Sequence, residues 1–297
     1  MPLKSLKTDQ SKTLTLEWRL HAKSYKLSLD KESCVGCQIC SLACPKEAIT
    51  IHKQSKLPGK KTKPAKIDID LKKCNFCGIC DIICPYGAIM VTVTGQPTLS
   101  VLDKESFPQL TREIQVDSSK YPKDSVECEE ACPLDLIKVT RSTVDEEGKP
   151  RIQIEVDQEH CPCCRVCEFK CPNGVINVKK IFHGKIEIHP EECPEDCTDC
   201  IDVCPITDAL YISEDDGKVR ANDLFCVYCG ACKVVCPVEQ ALDLKRTLVR
   251  HSPISSGAWN KALERITSPS EMTKELKAKG SQKARDSVKK RLGWRTA

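Results

Sequence analysis

The sequence predicts an α+β fold made of tandem small modules, and three observations support this. Cysteine accounts for 23 of the 297 residues, which is far above ordinary usage. The cysteines recur in similar runs, and each run ends in Cys-Pro. Short segments that alternate apolar and polar residues flank these runs, which predicts a strand on either side of each. Aromatic residues make up only 4% of the chain, so one large aromatic core is not expected.

The first run extends from Cys34 to Pro45 and has the spacing C-x2-C-x2-C-x3-C-P. This spacing is typical of sites that hold [4Fe–4S] clusters, where the fourth cysteine binds the second cluster of a two-cluster unit. Three thiolates on a tight loop can face one cluster. We expect the fourth cysteine at the start of a helix, because Pro45 suits a first helical turn.

The run occurs six times, with two departures from the pattern. The fifth unit is one residue longer between Cys193 and Cys197. The third unit keeps only Cys128 and Cys132, and the missing ligands would fall at Ser125 and Pro122, which are poor substitutes for thiolates. The flanking alternation predicts strands at 26–30, 48–52, 67–70, 88–93, 136–139, 152–156, 175–178, 185–188 and 241–244.

Paired in order, the six units predict three bacterial-type 2[4Fe–4S] ferredoxin-like modules. The predicted divisions are an extended N-terminal arm (1–25), module 1 (26–105), module 2 with one intact and one degenerate site (106–182), module 3 (183–250) and a basic helical C-terminal extension (251–297). Pairing units four and five instead would reassign the fourth ligands without changing the number of complete runs.

Exchange of the fourth cysteine within each module predicts five ligand sets. These sets are Cys34, Cys37, Cys40 with Cys84; Cys74, Cys77, Cys80 with Cys44; Cys161, Cys164, Cys167 with Cys132; Cys193, Cys197, Cys200 with Cys236; and Cys226, Cys229, Cys232 with Cys204.

Three cysteines, namely Cys128, Cys163 and Cys171, are left over. Two of them, Cys128 and Cys171, would have served the lost site. We therefore predict five [4Fe–4S] clusters. The alternative is a sixth cluster held by Cys163 with a non-cysteine ligand.

Composition and charge disfavour several other classes of protein. A disulfide scaffold needs an oxidising compartment, and no secretory signal is evident, so we expect a reduced cytoplasmic protein. Structural zinc would not need the third and fourth cysteines of each run. No apolar segment is long enough to span a membrane. The net charge of +4 is concentrated at the ends, and residues 34–260 carry 28 basic and 34 acidic residues, which disfavours nucleic acid as a partner.

Apart from the cysteine runs, the sequence contains no motif typical of a catalytic or nucleotide-binding site. The sequence has no G-x-G-x-x-G motif, P-loop or H-E-x-x-H motif, so no catalytic site is predicted in this chain. Clusters in series pass single electrons, which predicts an electron carrier. The lysine-rich segment 53–66 between the first two units is either a solvated loop or a docking surface.

The repeated runs resemble polyferredoxins across about residues 26–245. Three stretches more closely resemble the polyferredoxin subunit of archaeal molybdenum/tungsten formylmethanofuran dehydrogenase. They are 20–29, the long-gapped run from His189 to Cys200, and the ending from Ser256 to Leu263.

This resemblance implies an electron-transfer subunit beside a molybdenum- or tungsten-pterin catalytic subunit, in methanogenic CO2 reduction or its reversal. Its partners would be the other subunits of that enzyme and other electron-carrier proteins. Members of the family can carry more modules than the three predicted here. Two further classes stay open: an electron carrier of a hydrogenase or heterodisulfide reductase complex, and a freestanding redox enzyme.

Overall fold

The fold is taken from a computed structural model. It describes residues 4–56, 59–97, 99–121, 127–144, 150–254 and 256–267. The strands are β1 (Lys4–Asp9), β2 (Thr13–Arg19), β3 (Ser24–Asp30), β4 (Ile49–His52), β5 (Lys66–Ile69), β6 (Ile89–Val93), β7 (Glu113–Val116), β8 (Ile137–Val144), β9 (Pro150–Val156), β10 (Ile176–Lys179), β11 (Phe182–Ile188), β12 (Leu210–Ile212), β13 (Val219–Ala221) and β14 (Leu242–Val249). The helices are α1 (Ile39–Ala43), α2 (Ile79–Ile82), α3 (Ser100–Asp103), α4 (Glu127–Glu130), α5 (Val166–Lys170), α6 (Asp199–Asp202), α7 (Ala231–Val235) and α8 (Gly257–Ile266).

The first two cysteine units are joined by two antiparallel strand pairs. An outer pair links β3, which precedes the first unit, to β6, which follows the second. An inner pair links β4 to β5 between the units. This nesting folds the two cysteine loops against each other. Every strand predicted around these units is present, with ends that differ by one or two residues.

The N-terminal residues depart from the expected extended arm. Strands β1 and β2 form a hairpin that extends the β3–β6 pair into a sheet of order β1-β2-β3-β6. The reason lies in the alternation of β2, whose Leu14 and Leu16 are completely buried opposite Leu29 and Leu27 of β3. The arm interpretation of 1–25 is therefore wrong for residues 4–19, because these leucines complete the core of the first sheet.

The same nesting of strand pairs recurs twice along the chain. In the middle of the chain β7 pairs with β10 outside and β8 with β9 inside. In the last part β11 pairs with β14 outside and β12 with β13 inside. The strands therefore pair unit three with unit four and unit five with unit six, rather than four with five.

The short helix of each unit begins earlier than expected. It carries the third cysteine and ends at or before the fourth, as in α1, where Cys40 lies inside the helix and Cys44 is the C-cap. A left-handed residue after the second cysteine turns the chain into the helix in four units: Gln38, Gly78, Arg165 and Gly230. The two glycines have φ of +84° and +92°, a conformation that suits a residue without a Cβ atom.

Helix α8 is a described part of the C-terminal extension. The Ser256 side chain accepts a hydrogen bond from the Ala258 backbone N–H, which caps the helix. Trp259 is 2% exposed, packs edge-on against Phe107 with ring centroids 5.1 Å apart, and donates from Nε1 to His251 Nε2 at 3.1 Å. The part of the predicted helical extension after residue 267 lies outside the described residues.

The lysine-rich loop between the first two units contacts the last third of the chain. Lys56 pairs with Asp199 of α6 at 2.5 Å. The Thr62 backbone N–H donates to Asp202 at 2.8 Å and its hydroxyl donates to Asp199 at 2.6 Å. Most described residues of the loop are exposed, as the solvated-loop alternative expects, and Thr62, which is 7% exposed, forms its buried contact with α6.

We predict that Leu16→Ala lowers the apparent melting temperature of the protein. Removal of a buried leucine side chain costs roughly 2–5 kcal/mol, because packing contacts are lost and a cavity remains. The measurement is thermal unfolding followed by circular dichroism under anaerobic conditions. Leu6→Ala on the neighbouring strand is the control, because Leu6 is 41% exposed. An equal effect of both substitutions would contradict the packing of the N-terminal hairpin.

Candidate iron–sulfur cluster sites

Four cavities in the structure are each lined by four cysteines that the sequence separates into two units. One holds Cys34, Cys37, Cys40 and, from the second unit, Cys84. The others are lined by Cys74, Cys77, Cys80 with Cys44; by Cys161, Cys164, Cys167 with Cys132; and by Cys226, Cys229, Cys232 with Cys204. The structure thus brings together four of the five predicted sets with their exchanged fourth cysteines.

The cavities have similar size and a similar apolar lining. Their empty space is about 300 to 370 Å³, part of it open to solvent. Isoleucine, alanine and proline side chains fill much of the remaining wall, as Ile67, Ala88 and Pro85 do around the first set. Such surroundings keep water away from the sulfur atoms.

The fifth predicted set lies in a more exposed loop. Cys193, Cys197, Cys200 and Cys236 are all partly exposed. Burial raises the pKa of the Cys200 thiol to about 12, and the neighbouring Cys197 and Cys236 act in the same direction. Burial also raises the pKa of Cys193, and the Cys236 thiol raises it further. The Cys236 thiol thus acts on both Cys193 and Cys200 of this loop.

Backbone amides point at the sulfur of the fourth cysteine in three units. The N–H four residues further on donates to Sγ, from Ala48 to Cys44 at 3.4 Å, from Ala88 to Cys84 at 3.3 Å, and from Leu136 to Cys132 at 3.3 Å. In the sixth unit, the Tyr228 N–H donates to Cys226 Sγ at 3.4 Å. Such bonds stabilise negative charge on sulfur and tune a bound cluster.

The cavity thiols are held where a free thiolate is unfavourable. Burial raises the pKa of Cys34 to about 11 and that of both Cys204 and Cys226 to about 12. A buried thiolate needs compensating positive charge, which iron ions would supply. Cys161 differs, since a hydrogen bond with Cys163 lowers its pKa to about 7.

The donor sets fit iron–sulfur clusters in chemistry and in number. Each cavity offers four soft sulfur donors in a largely apolar wall, which is the ligand set that [4Fe–4S] clusters use. In the part of the chain that the structure describes, no group of three or more histidine, cysteine or carboxylate side chains converges closely enough to hold a single metal ion. When bound, a cluster would store and release one electron at a time.

The three leftover cysteines have two different environments. Cys128 and Cys171 form a disulfide, with Cα atoms 4.6 Å apart. The expectation of a fully reduced chain is therefore wrong at this pair, because the thiols that would have served the lost site meet each other. Cys163 is fully buried, and its nearest partner is the Cys161 carbonyl, 3.9 Å from its sulfur.

Three residues near these cavities escaped the sequence analysis. Tyr86 lines two cavities, Arg112 donates to the carbonyls of Cys84 and Cys161 at 3.1 and 3.0 Å, and Arg246 is buried beside Cys229. The sequence marked Tyr86 only weakly, as an aromatic residue that directly follows Cys84-Pro85. The arginines lie far from the runs in sequence, and no pattern marked them.

Comparison with known proteins agrees with the cysteine geometry. Two family models described as 4Fe-4S dicluster domains match residues 33–88 and 185–237. The chain is 36% identical over 106 residues to the polyferredoxin-like subunit of an aliphatic sulfonate oxidoreductase from Pyrococcus furiosus, covering 32% of this chain and 59% of that one. It is 31% identical over 93 residues to polyferredoxin protein MvhB of Methanothermobacter marburgensis, covering 26% of this chain and 22% of that one.

One solved structure resembles the chain over most of its length. A chain of the formate dehydrogenase–heterodisulfide reductase–formylmethanofuran dehydrogenase complex from Methanospirillum hungatei superposes with a TM-score of 0.77 at 30% identity. The match covers 90% of this chain and 92% of that chain. By contrast, this chain spans less than two thirds of the length of the two curated relatives.

These findings define the class and then the family. The protein carries two 4Fe–4S dicluster ferredoxin domains in a mixed α and β fold. It belongs to the polyferredoxin-like electron-transfer proteins that occur as subunits of oxidoreductase complexes. Among the described residues, no helix has the length and apolar character required to cross a membrane.

We predict that the cysteines of the middle part differ in their effect on iron content. Cys132→Ala should lower the iron content by about four atoms per chain, because it removes one ligand of a cubane site. Cys163→Ser and the double substitution Cys128→Ser with Cys171→Ser should leave the iron content unchanged. The measurement is iron and sulfide analysis after anaerobic purification. Loss of iron from the double variant would show that the lost site still binds metal.

Proposed function

We propose that the chain is the polyferredoxin subunit of a molybdenum/tungsten formylmethanofuran dehydrogenase in the cytoplasm. In this role it would carry low-potential electrons to or from the catalytic subunit during methanogenic CO2 reduction or its reversal. The observation that carries the proposal is the likeness over 90% of the chain to a chain of a complex that contains this enzyme. Its partners would be the pterin-containing catalytic subunit, other subunits and other electron carriers.

Residues 106–182 would form a third ferredoxin-like module between the two that the family models match. Support comes from the nested strand pairs β7–β10 and β8–β9, which repeat those of the first module. One of its cavities is lined by Cys132, Cys161, Cys164 and Cys167. Together with two sets in each flanking module, this gives five proposed [4Fe–4S] clusters, all bound by the exchanged cysteine sets.

The residues of the chain have separate tasks in this function. The cysteines hold the clusters, and the backbone amides that face their sulfur atoms stabilise the added negative charge of the reduced state. Apolar residues such as Ile67 and Ile206 exclude water from the cavities, which strengthens every charge interaction inside. No residue of the chain needs to act as an acid, base or nucleophile.

A second candidate is an electron carrier of a hydrogenase or heterodisulfide reductase complex. The specific observation in its favour is that the superposed complex also contains a heterodisulfide reductase. The two candidates share every cluster site, so they differ only in the partner subunit that the chain contacts.

We predict that the anaerobically purified chain contains about 20 iron atoms and about 20 sulfide ions. Five complete thiol sets are available, and Cys128 and Cys171 are bound to each other. The measurement is elemental iron and acid-labile sulfide analysis against protein concentration. About 24 iron atoms would contradict the five-cluster proposal, and a colourless zinc-containing chain would contradict the function itself.

The partner is tested by purification of the full chain with an affinity tag from its own cells without oxygen. We expect a pterin-containing molybdenum or tungsten oxidoreductase to copurify in a fixed ratio. The measurement is mass spectrometry of the bound subunits together with molybdenum and tungsten analysis. Copurification of a hydrogenase or heterodisulfide reductase without any pterin enzyme would favour the second candidate.

A further inference from the structure

Tyr86 is shared by two cavities that belong to different modules. Its ring lines the cavity of Cys34, Cys37, Cys40 and Cys84, and also the cavity of Cys204, Cys226, Cys229 and Cys232. The residue is 4% exposed, and its hydroxyl has no hydrogen-bond partner among the described residues. A buried hydroxyl without a partner is unfavourable, so its position calls for an explanation.

The surroundings of the hydroxyl offer sulfur as its acceptor. Burial raises the pKa of Tyr86, and the nearby Cys229 and Cys37 raise it further. These two cysteines come from the two different cavities. Because Tyr86 also lines both cavities, the residue lies at the boundary between the two cysteine sets.

Arg246 also lies at the boundary between the Cys34 set and the Cys226 set. It is 5% exposed, and its guanidinium donates to the Tyr228 carbonyl at 2.7 Å, to the Cys229 carbonyl at 2.6 Å and to the Ile266 carbonyl at 3.3 Å. No carboxylate accepts from it among these partners. Burial lowers its pKa, and the thiols of Cys37 and Cys229 oppose that shift. The cation is thus placed between both sets.

The two cysteine loops approach each other closely at this point. A Cβ atom on Gly230 would lie 2.9 Å from Arg246 Nη2 and 3.7 Å from the Cys37 carbonyl oxygen. Glycine suits this position because its φ is +92° and because a side chain would press on the Arg246 guanidinium. Lys53 of module 1 also contacts module 3, since its Nζ donates to the Cys236 carbonyl at 2.7 Å.

We propose that Tyr86 and Arg246 are shared positioning residues that hold the Cys34 set of module 1 against the Cys226 set of module 3 and raise the reduction potential of both. The proposal rests on the proposed function, in that both sets hold [4Fe–4S] clusters. A buried cation favours the reduced, more negative state of each neighbouring cluster, and an O–H···S bond to Cys229 does the same.

Modules 1 and 3 are then in direct contact, and the lost site of module 2 does not lie between them. Cys128 and Cys171 belong to the middle of the chain, whereas Tyr86, Gly230 and Arg246 all lie where the flanking modules meet. The remaining cluster set of module 2 reaches the Cys34 set separately, through Arg112 between the Cys84 and Cys161 carbonyls. The Cys34 set is then adjacent to sets in both other modules.

The test is a redox titration of the iron-loaded full chain, followed by electron paramagnetic resonance. We expect Arg246→Gln to lower the midpoint potentials of two cluster signals, with iron content unchanged. Arg246→Lys should restore both potentials, because it keeps the charge. Tyr86→Phe, which keeps the ring, should lower the potential of at least one of the same two signals and leave the others unchanged.

Two control variants change the same residue types away from the boundary. Arg250→Gln removes a cation that pairs with Glu113 at 3.0 Å, and Tyr211→Phe removes the hydroxyl of a side chain that is 46% exposed. Neither should move any potential.

The possible results distinguish failure of the shared role from failure of the proposed function. A shift of one signal or none in Arg246→Gln, with full iron content, would overturn the shared role. If Arg246→Gln loses iron, Tyr86→Phe decides alone: a shift supports the proposal and unchanged potentials overturn it. Absence of any cluster signal from the unaltered chain would overturn the proposed function itself, which is a different and distinguishable failure.

Discussion

Burial of thiols in groups of four is the constraint on which this structure depends. A single buried cysteine behaves as a small apolar side chain, and Cys163 is fully buried in this way. Four thiols around one cavity, with burial that raises the pKa of Cys34, Cys204 and Cys226 well above the usual range, are a different case. They are suited to a multinuclear iron centre, which takes up the charge of all four sulfurs at once.

The nested strand pairs explain how distant cysteines reach the same cavity. Antiparallel pairing of β3 with β6 and of β4 with β5 places the loop of the first unit beside that of the second. The fourth cysteine of each loop then faces the neighbouring loop. The third cysteine stays with its own loop because it lies inside the short helix, as Cys40 does in α1. The position of each fourth cysteine in the cavity of the neighbouring unit is therefore a consequence of sheet topology.

The sequence predicted most of what depends on local pattern. The alternation of apolar and polar residues located nine of the strands in the described part of the chain, and the cysteine spacing identified the four sets that line cavities. Short strands such as β12 and β13 were missed, because three residues carry too little periodicity. The placement of the helix before the fourth cysteine was also missed. A left-handed residue such as Gln38 starts the helix, and nothing in its chemistry distinguishes it from a helical residue.

Contacts between modules could not be predicted from the sequence at all. Arg246 lies in a strand whose alternation gives no hint of a buried cation, and its partners Cys229 and Ile266 are separated from it by 17 and 20 positions. Thr62 is buried by a contact with α6, more than 130 positions away. Such contacts arise only when complete modules pack together, and they decide which cysteine sets become neighbours.

The disulfide between Cys128 and Cys171 is a covalent cross-link in the middle of the chain. It closes a loop with a sequence separation of 43, and a loop of that length restricts the unfolded chain by on the order of 4 kcal/mol in the chain-entropy model. In the outer thirds, the strand pairs and the shared cysteine sites join the units, and the described cysteines there form no disulfide. Chelators and reductants therefore act differently on this chain: a chelator would loosen the outer thirds most, whereas a reductant would loosen only the centre.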